Sequence, residues 1–142
     1  MTIRFLAVML TGCALIAPGA HLYELPRKIR MSEEHYHIVQ NIYLGWWVPG
    51  LLLPAALVCN IVLVLTLTHS VAWWLGVSAA ALIGINLAIF AIWTLPVNLA
   101  TNNWEKRLAN WEQLRRRWEY SHAANAGITF LAFCAVTLAA QL

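Results

Sequence analysis

The sequence predicts an all-α integral membrane protein, folded as an up-down four-helix bundle in a single domain over residues 1–142. Two observations predict this fold class. The chain is 61% hydrophobic and only 11% charged, whereas a soluble domain carries about 25% charged residues. Its apolar residues also fall in four runs, each long enough to cross a hydrocarbon core of about 30 Å. Short connections join the runs, so neighbouring helices are expected to be antiparallel.

The first predicted membrane span covers residues 3–25 and ends before Pro26. Basic residues follow it directly, at Arg27, Lys28 and Arg30. Such a cluster is typical of the interface between a membrane span and the cytoplasm. His21 and Glu24 therefore fall at the polar end of this span.

The second predicted span covers residues 44–68. A helix start is indicated ahead of it at Ser32, where a hydroxyl cap precedes two acidic residues. Trp46 and Trp47 begin the apolar run, as interfacial aromatic residues do. We therefore expect the second helix to start outside the membrane and to run straight into it.

The third predicted span covers residues 72–100, and the last covers residues 121–141. The polar segment between them, residues 103–120, predicts an amphipathic helix. This helix either lies on the membrane surface or extends the last span into the aqueous phase. Tryptophans recur in it every seven residues, and we interpret them as packing and anchoring residues: Trp104, Trp111 and Trp118.

The basic residues predict the orientation of the chain. Of the nine Lys and Arg residues, all but Arg4 fall in the connections between spans one and two and between spans three and four. The positive-inside rule places these connections in the cytoplasm and both termini on the opposite side. We expect a multi-pass protein of the bacterial cytoplasmic membrane. The net charge of +3 is explained by this topology, and no nucleic-acid partner is expected.

Two His–Glu pairs are the most function-like feature. His21 precedes Glu24 on the first span, and Glu119 precedes His122 at the start of the last one. Residues three apart share one face of a helix, and on antiparallel helices the reversed order places His level with His. Ionisable groups in a span are costly, so a functional site is the default hypothesis. Copper or a single iron suits two His and one or two Glu, so we predict a metal held by four ligands: His21, Glu24, Glu119 and His122.

Other interpretations of these residues stay open at this stage. They could form an interfacial hydrogen-bond network, or a path for protons or substrate. His21 and His122 could be the axial ligands of a b-type haem. The chain could also be a non-enzymatic accessory subunit of a larger membrane complex, or a homo-oligomer. Asn86, in the middle of the third span, is interpreted as an amide that joins helices.

One region resembles a known family. Pro96-Val97-Asn98, a polar stretch, and then Trp111, Arg115, Trp118 and His122 resemble the anthrone-oxygenase-like family of small four-helix membrane proteins. The sequence departs from the family pattern at Asn125, where an arginine is common. The resemblance implies that Asn98 and His122 are the catalytic positions. It also implies oxygen-dependent oxidation of a lipophilic or aromatic small molecule, and hence an oxidoreductase that meets its substrate in the lipid bilayer.

Overall fold

The computed structural model describes residues 2–142 and contains only helices, turns and loops over that range. Four helical segments in it are long and apolar enough to cross a membrane: Thr2–Lys28, Trp47–Thr66, Val71–Thr101 and Trp111–Gln141. Each of these spans packs against its neighbours in sequence, and the first also packs against the fourth. The predicted membrane four-helix bundle is confirmed.

The first span consists of two helices, α1 (Thr2–Ala14) and α2 (Ile16–Lys28). They are separated at Leu15, because Pro18 has no N–H and its ring crowds the carbonyl of residue 14, four positions earlier. Helix α2 continues three residues beyond the predicted end of the span. Lys28 is therefore part of the helix, one turn after Glu24 and on the same face.

The connection to the second span is only partly as predicted. Helix α3 (Glu33–Gln40) does begin at Ser32, whose hydroxyl accepts a hydrogen bond from the N–H of His35 at 3.5 Å. The prediction that this helix runs straight into the membrane is wrong. A short 3-10 turn and Gly45, with a φ of 87° that favours glycine, separate α3 from the second span. That span is formed by α4 (Trp47–Gly50) and α5 (Leu52–Thr66).

The third span changes its hydrogen-bonding pattern before a proline. Helix α6 (Val71–Ile89) leads into one π-helical turn (Phe90–Thr94) and then into α7 (Leu95–Thr101). Pro96 cannot donate a hydrogen bond to the carbonyl of Ile92, and Arg117 from the fourth span donates to that carbonyl instead. A π-turn is a common way for a helix to absorb such a defect.

The fourth span is one unbroken helix, α8 (Trp111–Gln141). The prediction of a helix over residues 103–120 is therefore wrong in its first part, since residues 102–110 are not helical. Three successive residues, Asn102, Asn103 and Trp104, have φ values of 49°, 54° and 69°. Left-handed conformations cannot continue a right-handed helix, so the chain turns here before α8 begins.

The three tryptophans form packing contacts, as expected, although they do not share one helix. Trp104 and Trp118 are buried together with Tyr36 of α3 and Val97 of α7, and Trp111 packs against this cluster. The cluster joins the connecting helix α3 to the polar ends of the third and fourth spans. The predicted site residues lie next to this cluster.

Buried amides join the spans further inside the bundle. The side chain of Asn86 donates hydrogen bonds to the Thr129 hydroxyl at 2.6 Å and to the Asn125 carbonyl at 3.2 Å. Asn60 donates to the Thr11 hydroxyl at 3.0 Å. The interpretation of Asn86 as a helix-joining residue is confirmed.

Candidate functional site

The structure brings the two predicted histidines together. His21 on α2 and His122 on α8 have ring centroids 4.3 Å apart, with 36° between the ring planes. His21 is 3% exposed and faces the interior of the bundle. Trp118 packs against both imidazoles, with centroid distances of 4.2 Å to His122 and 4.8 Å to His21. The antiparallel register of the first and last spans has placed these rings in contact.

Lys28 occupies the centre of the polar cluster, and the sequence did not single it out. Its Nζ lies 2.9 Å from Glu119 Oε1 and 3.6 Å from Glu24 Oε2. The Lys28 side chain is 2% exposed and the Glu119 side chain 0% exposed. Lys28 was assigned to the cytoplasmic basic cluster because it follows the first apolar run. Its helical spacing of four residues from Glu24 and seven from His21 is the signal that could have found it.

The four predicted metal ligands do not surround an empty space. The Lys28 ammonium lies between the two carboxylates and also 3.4 Å from His21 Nδ1. Within residues 2–142, no group of three or more His, Cys, Asp or Glu side chains is placed to hold a metal ion. In this arrangement the set of His21, Glu24, Glu119 and His122 does not fit a shared metal. Copper or iron binding stays an untested prediction.

The haem alternative meets a similar steric obstacle. Axial ligation places the porphyrin plane between two imidazoles whose nitrogens point at one iron. Here the rings of His21 and His122 pack against each other, and Trp118 covers both of them. Haem binding would require the two rings to separate, and it too stays untested.

Two tyrosines complete the network around Lys28. The Tyr36 hydroxyl donates to Glu119 Oε1 at 3.0 Å, and the Tyr43 hydroxyl donates to Glu24. Lys28 in turn donates to the Tyr43 hydroxyl at 3.2 Å. Burial raises the pKa of the Tyr36 phenol, and the adjacent Glu119 carboxylate raises it further. Burial, with the hydrogen bond to Glu24, also raises the pKa of Tyr43. Both phenols therefore stay protonated and act as donors.

The predicted catalytic pair, Asn98 and His122, is linked through one tryptophan. Asn98 of α7 accepts a hydrogen bond from Trp118 Nε1 at 2.8 Å, and the same indole packs against the His122 ring. This contact fixes the plane of Trp118. Asn98 and His122 line the same cavity.

That cavity has a volume of about 490 Å³ and is bounded by all four spans. Apolar groups, among them Trp46, Leu53 and Phe90, supply most of its wall. Four lining residues carry buried polar atoms that have no hydrogen-bond partner within residues 2–142: Gln40, Trp104, His122 and Asn125. Buried polar groups in proteins are nearly always bonded. Unpaired ones around a cavity indicate where a ligand or water would be held.

Comparison of the chain with protein-family models, curated proteins and solved structures found no match.

Proposed function

We propose that this protein is a membrane oxidoreductase that takes a lipophilic or aromatic small molecule from the bilayer into the cavity and oxidises it with molecular oxygen beside His122. The observation that carries the proposal is a largely apolar cavity of about 490 Å³ with an unpaired imidazole nitrogen, Nε2 of His122, in its lining residues. Small-molecule sites have this volume range and this mixture of apolar wall and few polar groups.

Access from the lipid is supported by the wall formed at the start of the second span. Trp47 and Leu51 line the cavity and are 71% and 56% exposed. The wall between the cavity and the surrounding lipid is therefore thin at this place. A lipophilic substrate would reach the site through it without crossing an aqueous phase.

Orientation of the substrate is supported by the unpaired polar atoms. His122 and Asn125 are three residues apart, so they lie on one face of α8, while Gln40 and Trp104 lie on other elements. A ligand with hydroxyl or carbonyl groups can pair with these atoms while its rings contact Trp46 and Phe90. Leaving such atoms unpaired costs about 1–3 kcal/mol each, so these contacts favour one binding pose.

The hydrogen-bond network around Lys28 supports a positioning role for the Glu119 carboxylate, which orients His122. Glu119 and His122 share one face of α8, and Glu119 is held by Lys28 and Tyr36 from two other elements. This attachment fixes the rotation of α8 and hence the direction of the His122 ring. We assign His122 the role of accepting a proton from the bound substrate. Asn98 acts indirectly, by fixing Trp118 against that ring.

The use of oxygen is supported by the resemblance and not by the geometry. In the balanced reaction, one O₂ is consumed for each substrate molecule: one oxygen atom forms a new carbonyl group on the substrate, and the other leaves as water with the two hydrogens that the substrate loses. No resident cofactor is required for this balance.

The cytoplasmic orientation of the site is supported by charge. Lys28 and Arg115 are buried, but the other six basic residues of the two connections lie at the same end of the bundle. Arg4 donates to the carbonyl of Ala140 at 3.0 Å, so both termini meet at the opposite end.

The experiment is oxygen uptake by protein purified into lipid nanodiscs, with anthrone and 1-naphthol as substrates. We expect uptake above the protein-free rate, and a loss of at least tenfold in the His122→Ala variant. His69→Ala, which removes an exposed histidine from the connection between spans two and three, is the matched control and should keep full activity. Equal rates with and without the protein, or an active His122→Ala variant, would contradict the proposal.

A further inference from the structure

We propose that the outer groove between the third and fourth spans binds one anionic glycerophospholipid. The groove has a volume of about 650 Å³ and is separate from the cavity described above. It is formed on the third span by Ile89 and Trp93, and on α8 by Arg116, Arg117, Tyr120, Ser121 and Ala124. This inference does not depend on the proposed oxidoreductase activity.

One end of the groove is positively charged and the other end is apolar. Arg116, Tyr120 and Ala124 are four residues apart on α8, so they form one stripe, about 12 Å long at 1.5 Å per residue. The arginine end lies toward the basic face of the bundle, and the Ala124 end lies inside the span. Trp93 and Tyr120, both partly exposed, stand between the two ends, where aromatic side chains meet lipid headgroups.

The positive charge at the shallow end is available to a partner. Within residues 2–142, Arg117 makes no ion pair, and its guanidinium donates to the Ile92 carbonyl exposed by Pro96. This bond holds the cation at the edge of the groove. Arg116 approaches Glu112 at 3.9 Å, with both side chains more than half exposed. Such an exposed pair is weak and would yield to a phosphate group.

The charged half and the apolar half of the groove together indicate which ligand binds there. A guanidinium pair selects a phosphate-bearing anion. The deep half, with Ile89 and Ala124, offers mainly apolar surface, since the hydroxyl of Ser121 already bonds to Thr94 and to the Trp118 carbonyl. Free phosphate would leave that half uncovered, whereas one phospholipid supplies an anionic headgroup and an acyl chain at the matching depths. Basic pockets between spans at the cytoplasmic surface recognise anionic lipids by this chemistry.

The test is native mass spectrometry of the detergent-purified chain with phosphatidylglycerol and phosphatidylcholine of the same acyl composition. We expect at least a fivefold preference for phosphatidylglycerol in the wild-type protein. Arg116→Gln with Arg117→Gln should reduce the preference below twofold. The matched control is Arg27→Gln with Arg30→Gln, which removes the same charge from exposed residues at the same end and should keep the preference.

A second variant separates a lipid from a free anion. Ala124→Trp fills the deep half and leaves both arginines in place, so it should weaken phosphatidylglycerol binding at least threefold. Millimolar inorganic phosphate should not displace the lipid. The proposal is overturned if both arginine pairs have equal effects, which would indicate general surface charge. It is also overturned if Ala124→Trp binds normally, or if the groove is covered by a second copy of the chain.

Discussion

Lys28 Nζ and Glu119 Oε1 lie 2.9 Å apart, although the two residues come from the first and the last spans and both side chains are buried. Moving an ion pair out of water is costly, and the pair is stable only when hydrogen bonds complete it. Tyr36 and Tyr43 supply those bonds from the connection between spans one and two. The ion pair therefore joins three separate parts of the chain at the polar end of the bundle.

Breaking this pair is expected to destabilise the fold. Lys28→Met leaves the Glu119 carboxylate buried without its cation, which should lower the free energy of unfolding by about 3–5 kcal/mol. Adding Glu119→Gln should restore part of that loss, because the uncompensated charge is then removed. Stability is measured by denaturant titration in detergent micelles. Arg27→Met, at the exposed neighbouring position, should change it by less than about 0.5 kcal/mol; an equal effect of both single variants would contradict a specific ion pair.

The metal content of the purified protein decides whether the His–Glu set is a metal site. With the Lys28 ammonium between the carboxylates, we expect far less than one copper or iron per chain after incubation with each metal and desalting. Inductively coupled plasma mass spectrometry gives this ratio. A ratio near one that falls in the His21→Ala variant but not in His69→Ala would show that Lys28 moves aside and that the metal site exists.

The raised pKa of Tyr36 predicts a specific dependence of stability on pH. In the unfolded chain the phenol loses its proton above a pH of about 10, whereas in the folded protein it keeps the proton to a higher pH. The contribution of Tyr36 is thus fully present below pH 10 and is lost as pH rises above it. Tyr36→Phe should be less stable than the wild type at pH 8, by about 1.5–3 kcal/mol.

That difference should shrink between pH 9 and 11.5, as measured by denaturant titration at each pH. Comparing the two proteins cancels the titration of the other groups. Tyr120→Phe, at an exposed tyrosine, is the control and should differ from the wild type at pH 8 by less than about 0.5 kcal/mol. A gap that stays constant with pH would contradict the shifted phenol.

The orientation in the membrane can be tested by cysteine labelling. In a variant without Cys13, Cys59 and Cys134, Glu34→Cys should resist a membrane-impermeant maleimide in intact cells and react after lysis. Ser70→Cys, exposed in the connection at the other end, should react in intact cells. The opposite pattern would place the candidate site on the outer side of the membrane.

The sequence was sufficient for the four spans and for the contact between His21 and His122. The long apolar runs predict the four spans. The reversed order of the two His–Glu pairs predicts which residues of the antiparallel first and last spans lie at the same level. The burial of Lys28 was not predicted, because a lysine after an apolar run is equally typical of a solvated interface. Its burial depends on the ion pair with Glu119, which lies on the last span.

The loop before α8 was missed for a related reason. The seven-residue spacing of Trp104 and Trp111 is compatible with a helix, and the sequence pattern alone favours one. The turn depends instead on the burial of Trp104 against Tyr36 and Trp118 and on local hydrogen bonds to Thr101. The Thr101 hydroxyl accepts from the N–H of Trp104 at 3.0 Å, and the Thr101 carbonyl accepts from Lys106 at 2.8 Å.

The length of α8 makes the site sensitive to the thickness of the bilayer. Its 31 residues extend about 46 Å at 1.5 Å per residue, whereas a hydrocarbon core measures about 30 Å. Residues 123–141 account for about 28 Å of that length, so a core that ends at Gln141 would place His122 at its other boundary. A membrane a few ångströms thinner would bring the imidazole pair to the level of water and headgroups, and a thicker one would submerge it in lipid. Hydrophobic mismatch would therefore change the depth at which this site meets the membrane interface.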